Sequence, residues 1–600
     1  MRTLARWSFT LVGVGLLCQP APPAAAFDGS GLYQPHAEWV GRLILPTDPA
    51  WPDSSTPPRD WVWMEVQQAP PPHRALIGRR LPLTWKPEPE LDRLVALVTT
   101  GVRFTPEARQ AAAAGFVLPV RLDGRAAVGP LQSLAGARPS DDLLVSLEQV
   151  QVHASAATGA VLRLARPPIQ VSGSHKALVQ VEGPDPKGGA DRFLVRHYNQ
   201  RSRRFDGRRD SVRISDAPLD ASGLRRPFRT QGLVGSAAGR DGWYLFGDPD
   251  RQGIFTVTAL QPRALVRLSA DRRIIGWKPS DAYVHQEQWD DLPRHQGQVS
   301  RAWLQPGAAA AADQLSPWKQ GDEALVLHLF GGMGGPNGEL KIIDDLFATG
   351  HFSFGLARVQ NDSLSGEPIL NIRYYQVYAH NREGTVSGSI DWTAYMGDLR
   401  RGWMNLRPVS DVLVRLDRLN LPPGAEGGGS RSPLHELALQ SEVMMARYRS
   451  GDGTGYTNVG LFQSCVQDSA QALYITLERL RRSARAQPSA EPDRQALLEL
   501  AKGVSGLVVP LGEVRPDWAR NATVLLDWPS PDPASAVSPF RRGELADALL
   551  SRRTILPRRA QDDLARLFLR QGADLWVLRT IQIPAAPPGV VPLEPTLLEP

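Results

Sequence analysis

At 600 residues, with 42% apolar and 22% charged residues, the chain is long enough for several packed domains and too ordinary in composition for a fibrous or disordered protein. A net charge of +6 spread over that length argues against a dedicated nucleic-acid binder, whose basic residues gather on one face. Cys18 and Cys465 are the only cysteines, which excludes a disulfide framework.

Arg2 and Arg6 precede an apolar stretch from Trp7 to Cys18, about half of the roughly 20 residues that a membrane span needs. Pro20, Pro22 and Pro23 break it, and Ala24 to Ala26 offer a small-residue cleavage site before Phe27. Residues 1–26 therefore read as a signal peptide. Export to a periplasmic, thylakoid-luminal or extracellular compartment is expected, with no transmembrane span once the signal is removed.

Residues 27–185 carry strand-like runs at Trp39 to Leu45, Asp60 to Val66, Ala75 to Trp85, Leu118 to Leu122, Leu143 to His153 and Ala160 to Leu164, with a helix around Pro106 to Ala114. They predict one or two small β domains. Residues 190–305 predict a second β domain, a small barrel or sandwich, from Phe193 to Tyr198, Ser211 to Ile214, Gly242 to Phe246, Gly253 to Leu260 and Ala264 to Leu268. Its aromatics Tyr198, Trp243, Tyr244 and Phe246 are either core or the lining of a groove. The arginines Arg201, Arg203, Arg204, Arg208 and Arg209 are interrupted by Asp206 and Asp210, the pattern of a solvated loop. An Ala/Gly-rich linker follows at 306–318.

Residues 319–583 predict an α+β domain. Strands are expected at Ala324 to Phe330, His351 to Val359, Ile369 to Ala379, Val409 to Leu416 and Asp574 to Ile583. Helices are expected at Pro433 to Tyr448, Cys465 to Arg482, Pro492 to Gly503, Gly543 to Ser551 and Ala560 to Arg570. The Pro-rich tail, 584–600, is expected to be disordered. The fold class is thus multidomain: a β-rich N-terminal half followed by an α+β domain.

Apolar residues recur at helical spacing from Val466 through Ala470, Leu473, Leu477 and Leu480, with Ser464 as a candidate N-cap. Cys465 then falls in the first helical turn, where backbone N–H groups and the helix dipole favour a thiolate. A thiol nucleophile needs a base. His351 opens a strand whose small residues Ser353, Gly355 and Ala357 share its face. A hairpin centred on Ser365-Gly366 would set His351 opposite His380, which could orient it; other registers offer Gln376 or Tyr378. Gly332, within Gly331 to Gly335, is a candidate for shaping the pocket, and Asp468 lies one helical turn past Cys465. No metal or cofactor is implied: His435-Glu436 lacks a second histidine because Leu439 stands there.

A strand opening His-aromatic-small-aromatic-Gly, a following strand ending in His and a later Cys at a helix start resemble the circularly permuted papain-like group, which includes NlpC-type hydrolases. That resemblance implies a permuted papain-like domain with His351, His380 and Cys465 as its catalytic residues. The segments His197-Tyr198-Asn199, Gly242-Trp243-Tyr244, His328-Leu329-Phe330-Gly331-Gly332 and Ser464 to Ser469 are similar to a cyanobacterial and plastid family labelled predicted Abi or CAAX-type proteases, over roughly residues 190 to 583. The chain has no Glu-Glu dipeptide, so the metalloprotease chemistry of that label does not carry over. Two expectations stand: an exported thiol hydrolase acting on an amide or ester of a polymer or protein, or a non-enzymatic exported binding or scaffold protein.

Overall fold

A computed structural model describes residues 31–48, 50–53, 55–99, 120–138, 140–220, 223–307, 316–338, 350–377, 386–420, 432–450 and 556–597, with separate positions between 465 and 503. The expected signal peptide and the helices at Pro106 to Ala114 and Gly543 to Ser551 lie outside the described residues. Among those described, no helix is long and apolar enough to cross a membrane.

The chain is β-rich, and two large sheets carry it. One has six strands: Gln34–Pro35, His175–Pro184, Arg192–His197, Arg209–Arg213, Trp243–Pro249 and Phe255–Pro262. The other has 15 strands. Its C-terminal part runs Arg272–Ile275, Gln298–Gln305, Asp574–Ile581, Pro408–Arg415, Glu323–Phe330, His351–Asn361, Pro368–Gln376 and Gly388–Asp391. It then continues through Ile169–Gln170 into the N-terminal strands by the parallel contact Ile390↔Gln170. The Gln298–Gln305 strand pairs with Asp574–Ile581, so pairing crosses the stretch read as a linker at 306–318.

Several expected elements take another form. Ala264 to Leu268 is not a strand but a helical turn, Arg263–Val266, in which the consecutive Leu265 and Val266 are both buried. Leu118 to Leu122 ends in a 3-10 turn, Val120–Leu122. The aromatics Tyr198, Trp243, Tyr244 and Phe246 are core, not groove. The tail expected to be disordered is ordered through residue 597. Val591–Leu593 pairs antiparallel with Gly332–Gly334, Val590 is buried, and Glu594 meets Arg558 at 2.6 Å.

Apolar sequence explains the centre of the large sheet. Glu323–Phe330 reads EALVLHLF and is buried from Ala324 onward, because it is covered on both faces. One face gives Val326, Phe330, Ala357 and Tyr374 to a core that includes Tyr395 and Trp392. The other gives Leu325, Leu327, Phe352 and Phe354 to a core with Leu564 and Phe568 of the Pro557–Arg570 helix. That second core also takes in Cys465, Val466, Ala470 and Leu473, described positions that are helical.

A polar seam joins the N-terminal strands to the Pro433–Arg449 helix. Asp60 accepts from Trp85 Nε1 at 2.7 Å and from the backbone N–H groups of Leu131 at 2.8 Å and Gln132 at 3.2 Å, at the start of the Pro130–Ala135 helix. Arg449 donates to the Ser387 carbonyl at 2.6 Å, the Pro130 carbonyl at 3.2 Å and Ser133 Oγ at 3.2 Å.

Candidate functional site

The sheet register assembles a polar row in an otherwise apolar layer. His328 is the cross-strand partner of both Ser353 and Asp411. The pairing Phe354↔Tyr375 sets Gln376 at the next row, beside Ser353. Asp411, His328, Ser353 and Gln376 thus stand on four adjacent strands, and each is buried. Burial of such groups requires partners, and most are found. His328 Nδ1 meets Asp411 Oδ1 at 2.7 Å, Tyr374 OH donates to Asp411 Oδ2 at 2.8 Å, and Gln376 Nε2 donates to Ser353 Oγ at 3.1 Å. His328 Nε2 is buried and has no hydrogen-bond partner.

His351 attaches to this row from the neighbouring position on its own strand. Its Nε2 lies 2.7 Å from Gln376 Oε1. With the Gln376 amide nitrogen directed to Ser353, the oxygen faces the ring, so Nε2 is the donor of this contact. The hairpin that brings the two together is centred on Leu364-Ser365, as Asn361↔Pro368 shows, and not on Ser365-Gly366. The register therefore differs by two residues from the one that would oppose His351 and His380. A two-residue shift preserves the face, which is why Gln376 takes up the orienting position. His380 and Asp468 lie outside the described residues.

Tyr395 closes the site from the π-helical turn Thr393–Gly397. Its ring centroid is 5.2 Å from His328, 5.2 Å from Tyr374 and 6.4 Å from His351. Burial holds the Tyr395 phenol well above its ordinary value. The Arg407 guanidinium opposes that shift, while the Asp411 carboxylate adds to it. Cys465 is a buried thiol at 7% exposure, and His351 is at 4%. Cys465 and the helical positions after it pack on the Phe352 and Phe354 face, opposite the His351 face. His351 is the first residue of its strand.

Arg407 supplies a cation at the same margin. It lies 4.4 Å over the Phe330 ring and 4.9 Å over Trp403, and donates to the Gly331 carbonyl at 2.8 Å. Gly332 lies in the Gly332–Gly334 strand that follows. Sequence reasoning missed Asp411, Tyr374, Tyr395 and Arg407 as site residues. The one available signal was a charged Asp411 within the apolar run Val409 to Leu416. Elsewhere, a polar cavity of about 210 Å³ is lined by Glu148, Arg166, Arg373 and Asp391, among others, and reaches neither His351 nor Cys465. Its Arg166 and Arg373 already face Glu148 at 3.2 and 3.6 Å. No family model, curated protein or solved structure matches the chain.

Proposed function

We propose that the protein is an exported thiol hydrolase of papain-like type that cleaves an amide or ester bond in a polymer or protein. The observation that carries this reading is the 2.7 Å contact between His351 Nε2 and Gln376 Oε1 beside Tyr395. Cysteine, histidine and a side-chain amide are the elements of the papain-like triad, with glutamine here in place of asparagine. His351 Nδ1 would accept the Cys465 proton as Sγ attacks the carbonyl carbon, then return it to the leaving amine or alcohol. Water would hydrolyse the resulting thioester and regenerate the thiol. Arg407, a fixed cation at the margin, favours the anionic forms of the site.

The burial of Cys465 and His351 favours a second reading, a non-enzymatic binding or scaffold protein in which the polar row is structural. Alkylation separates the two. Under the hydrolase reading, iodoacetamide labels Cys465 rapidly near neutral pH, and His351→Ala slows labelling roughly 10²-fold, the lower range of general-base contributions. Gln376→Ala slows it less, because the base remains but is no longer oriented. Labelling that requires unfolding, or that is equal in all three proteins, establishes the structural role instead.

A further inference from the structure

The glycine-rich edge beside His351 is occupied by the chain's own tail. Among the described residues, Gly332–Gly334 pairs only with Val591–Leu593, in a two-stranded sheet separate from the two large ones. The pairs are Gly332↔Leu593, Met333↔Pro592 and Gly334↔Val591. Pro592 has no N–H, so tail donors to this edge come from Val591 and Leu593, the residues flanking it. The antiparallel course then carries the tail past Leu593 toward His351. A Cβ built on Gly350, the residue before His351, would lie 3.1 Å from Pro595 Cβ.

Side chains are kept out of this course wherever the tail runs. A Cβ on Gly331 would stand 2.2 Å from the Leu593 carbonyl oxygen, one on Gly334 3.0 Å from Leu593 Cδ1, and one on Gly335 2.7 Å from the Gly589 carbonyl oxygen. Four glycines on two separate segments therefore leave a trough as wide as one extended backbone. The tail is also held by Val590 in a small core with Met333, by the buried Pro592 and Pro595, and by Arg558, which donates to the Pro595 carbonyl at 3.3 Å. Val591 is 43% exposed, and Glu594 reaches Arg558 from a largely exposed position.

We infer that the Gly331–Gly335 edge is the docking strand for an extended polypeptide, recognised through its main chain, and that residues 591–597 occupy it here in the manner of a bound substrate. Strand addition of this kind draws affinity from backbone hydrogen bonds and tolerates many side chains. The inference rests on the thiol-hydrolase reading for what happens to the bound chain. It specifies that reading: the substrate is a peptide, lying antiparallel to Gly332–Gly334, with the residues after its paired segment delivered to His351. The tail is then self-inhibitory and must leave before substrate enters.

The test uses the full chain and a fluorescein-labelled synthetic peptide of residues 586–597, read by fluorescence anisotropy. Leu593→Asp should release the tail and bind the peptide at least about tenfold more tightly than the unaltered protein, whose edge is filled. Glu594→Arg, an exposed change that sets like charges together at Arg558, should give an intermediate gain and guards against misfolding of the first variant. The same peptide N-methylated at the positions of Val591 and Leu593 should not bind. Equal binding to altered and unaltered protein, no binding to either variant, or undiminished binding of the N-methylated peptide overturns the inference. None of these readouts uses Cys465. Peptide binding together with alkylation that ignores His351 therefore removes the hydrolase chemistry alone, and the reverse result removes the docking strand alone.

Discussion

Asp411→Ala is expected to lower the unfolding free energy by several kcal/mol, because it strands two buried groups at once. His328 and Tyr374 each direct a hydrogen bond to this carboxylate, and both residues are fully buried. A buried donor left without its acceptor costs about 1–3 kcal/mol, so the pair gives roughly 2–6 kcal/mol before any relaxation. The second nitrogen of His328 is already unpartnered, so the ring has no alternative bond to fall back on. Asp411→Asn should recover part of the loss, since the amide keeps one of the two accepting oxygens and its NH2 cannot accept from the other partner. Urea unfolding measures it: the midpoint of Asp411→Ala should fall with the slope unchanged. A loss under about 0.5 kcal/mol, the range of ordinary surface substitutions, would mean that the row is not a connected network.

The second large effect is a pH dependence set by Asp60. Burial raises its carboxyl from the usual 3.8 to about 6, against the lowering influence of the Trp85, Leu131 and Gln132 hydrogen bonds and of Arg449. A carboxyl raised in the folded state binds its proton more tightly folded than unfolded. Its stabilising contribution is therefore complete below about pH 4 and is lost as pH rises through about 6, an amount of about 3 kcal/mol. The Arg449 guanidinium is lowered to about 10 by its own burial and remains a cation throughout this window. Denaturation of the unaltered protein and of Asp60→Asn at pH 4 and pH 7 isolates the group. The unaltered protein should lose about 2 kcal/mol more than the variant between the two, because the unfolded carboxyl is already partly ionised at pH 4. Parallel pH profiles would show that Asp60 is not the titrating group.

The strands around the site were legible because their apolar alternation is strong. His351 to Val359 was expected and His351–Asn361 is observed, while Val409 to Leu416 corresponds to Pro408–Arg415. The hairpin register was not legible, and the reason is tertiary. Asp362 in its turn is buried and is held by Lys176 at 3.0 Å and Tyr244 at 2.8 Å, both from the six-stranded sheet, and by the Ser365 N–H at 2.8 Å. Those partners choose the turn residue that points inward, and with it which residue reaches His351. The His328–Asp411 pair was hidden in the same way, since it forms only when two strands distant in sequence become neighbours. The tail was misread because prolines suggest disorder, whereas Pro592 sits where a strand edge can do without an N–H.

The 15-stranded sheet also dictates when the site comes into being during synthesis. The strand bearing His328 lies between the His351 and Asp411 strands, and the Asp411 strand is in turn covered by Asp574–Ile581. The earliest strands, such as Trp39–Ile44, belong to the same sheet. Pairings between such distant segments form slowly, because loop closure must precede any reward from contact. A nascent chain therefore holds exposed strand edges, and no assembled His351 row, until nearly all of it has been made. Assembly of the His351 row and completion of the fold are thereby tied to one event, so a chain stalled short of residue 574 would lack that row and be prone to associate through its unpaired edges.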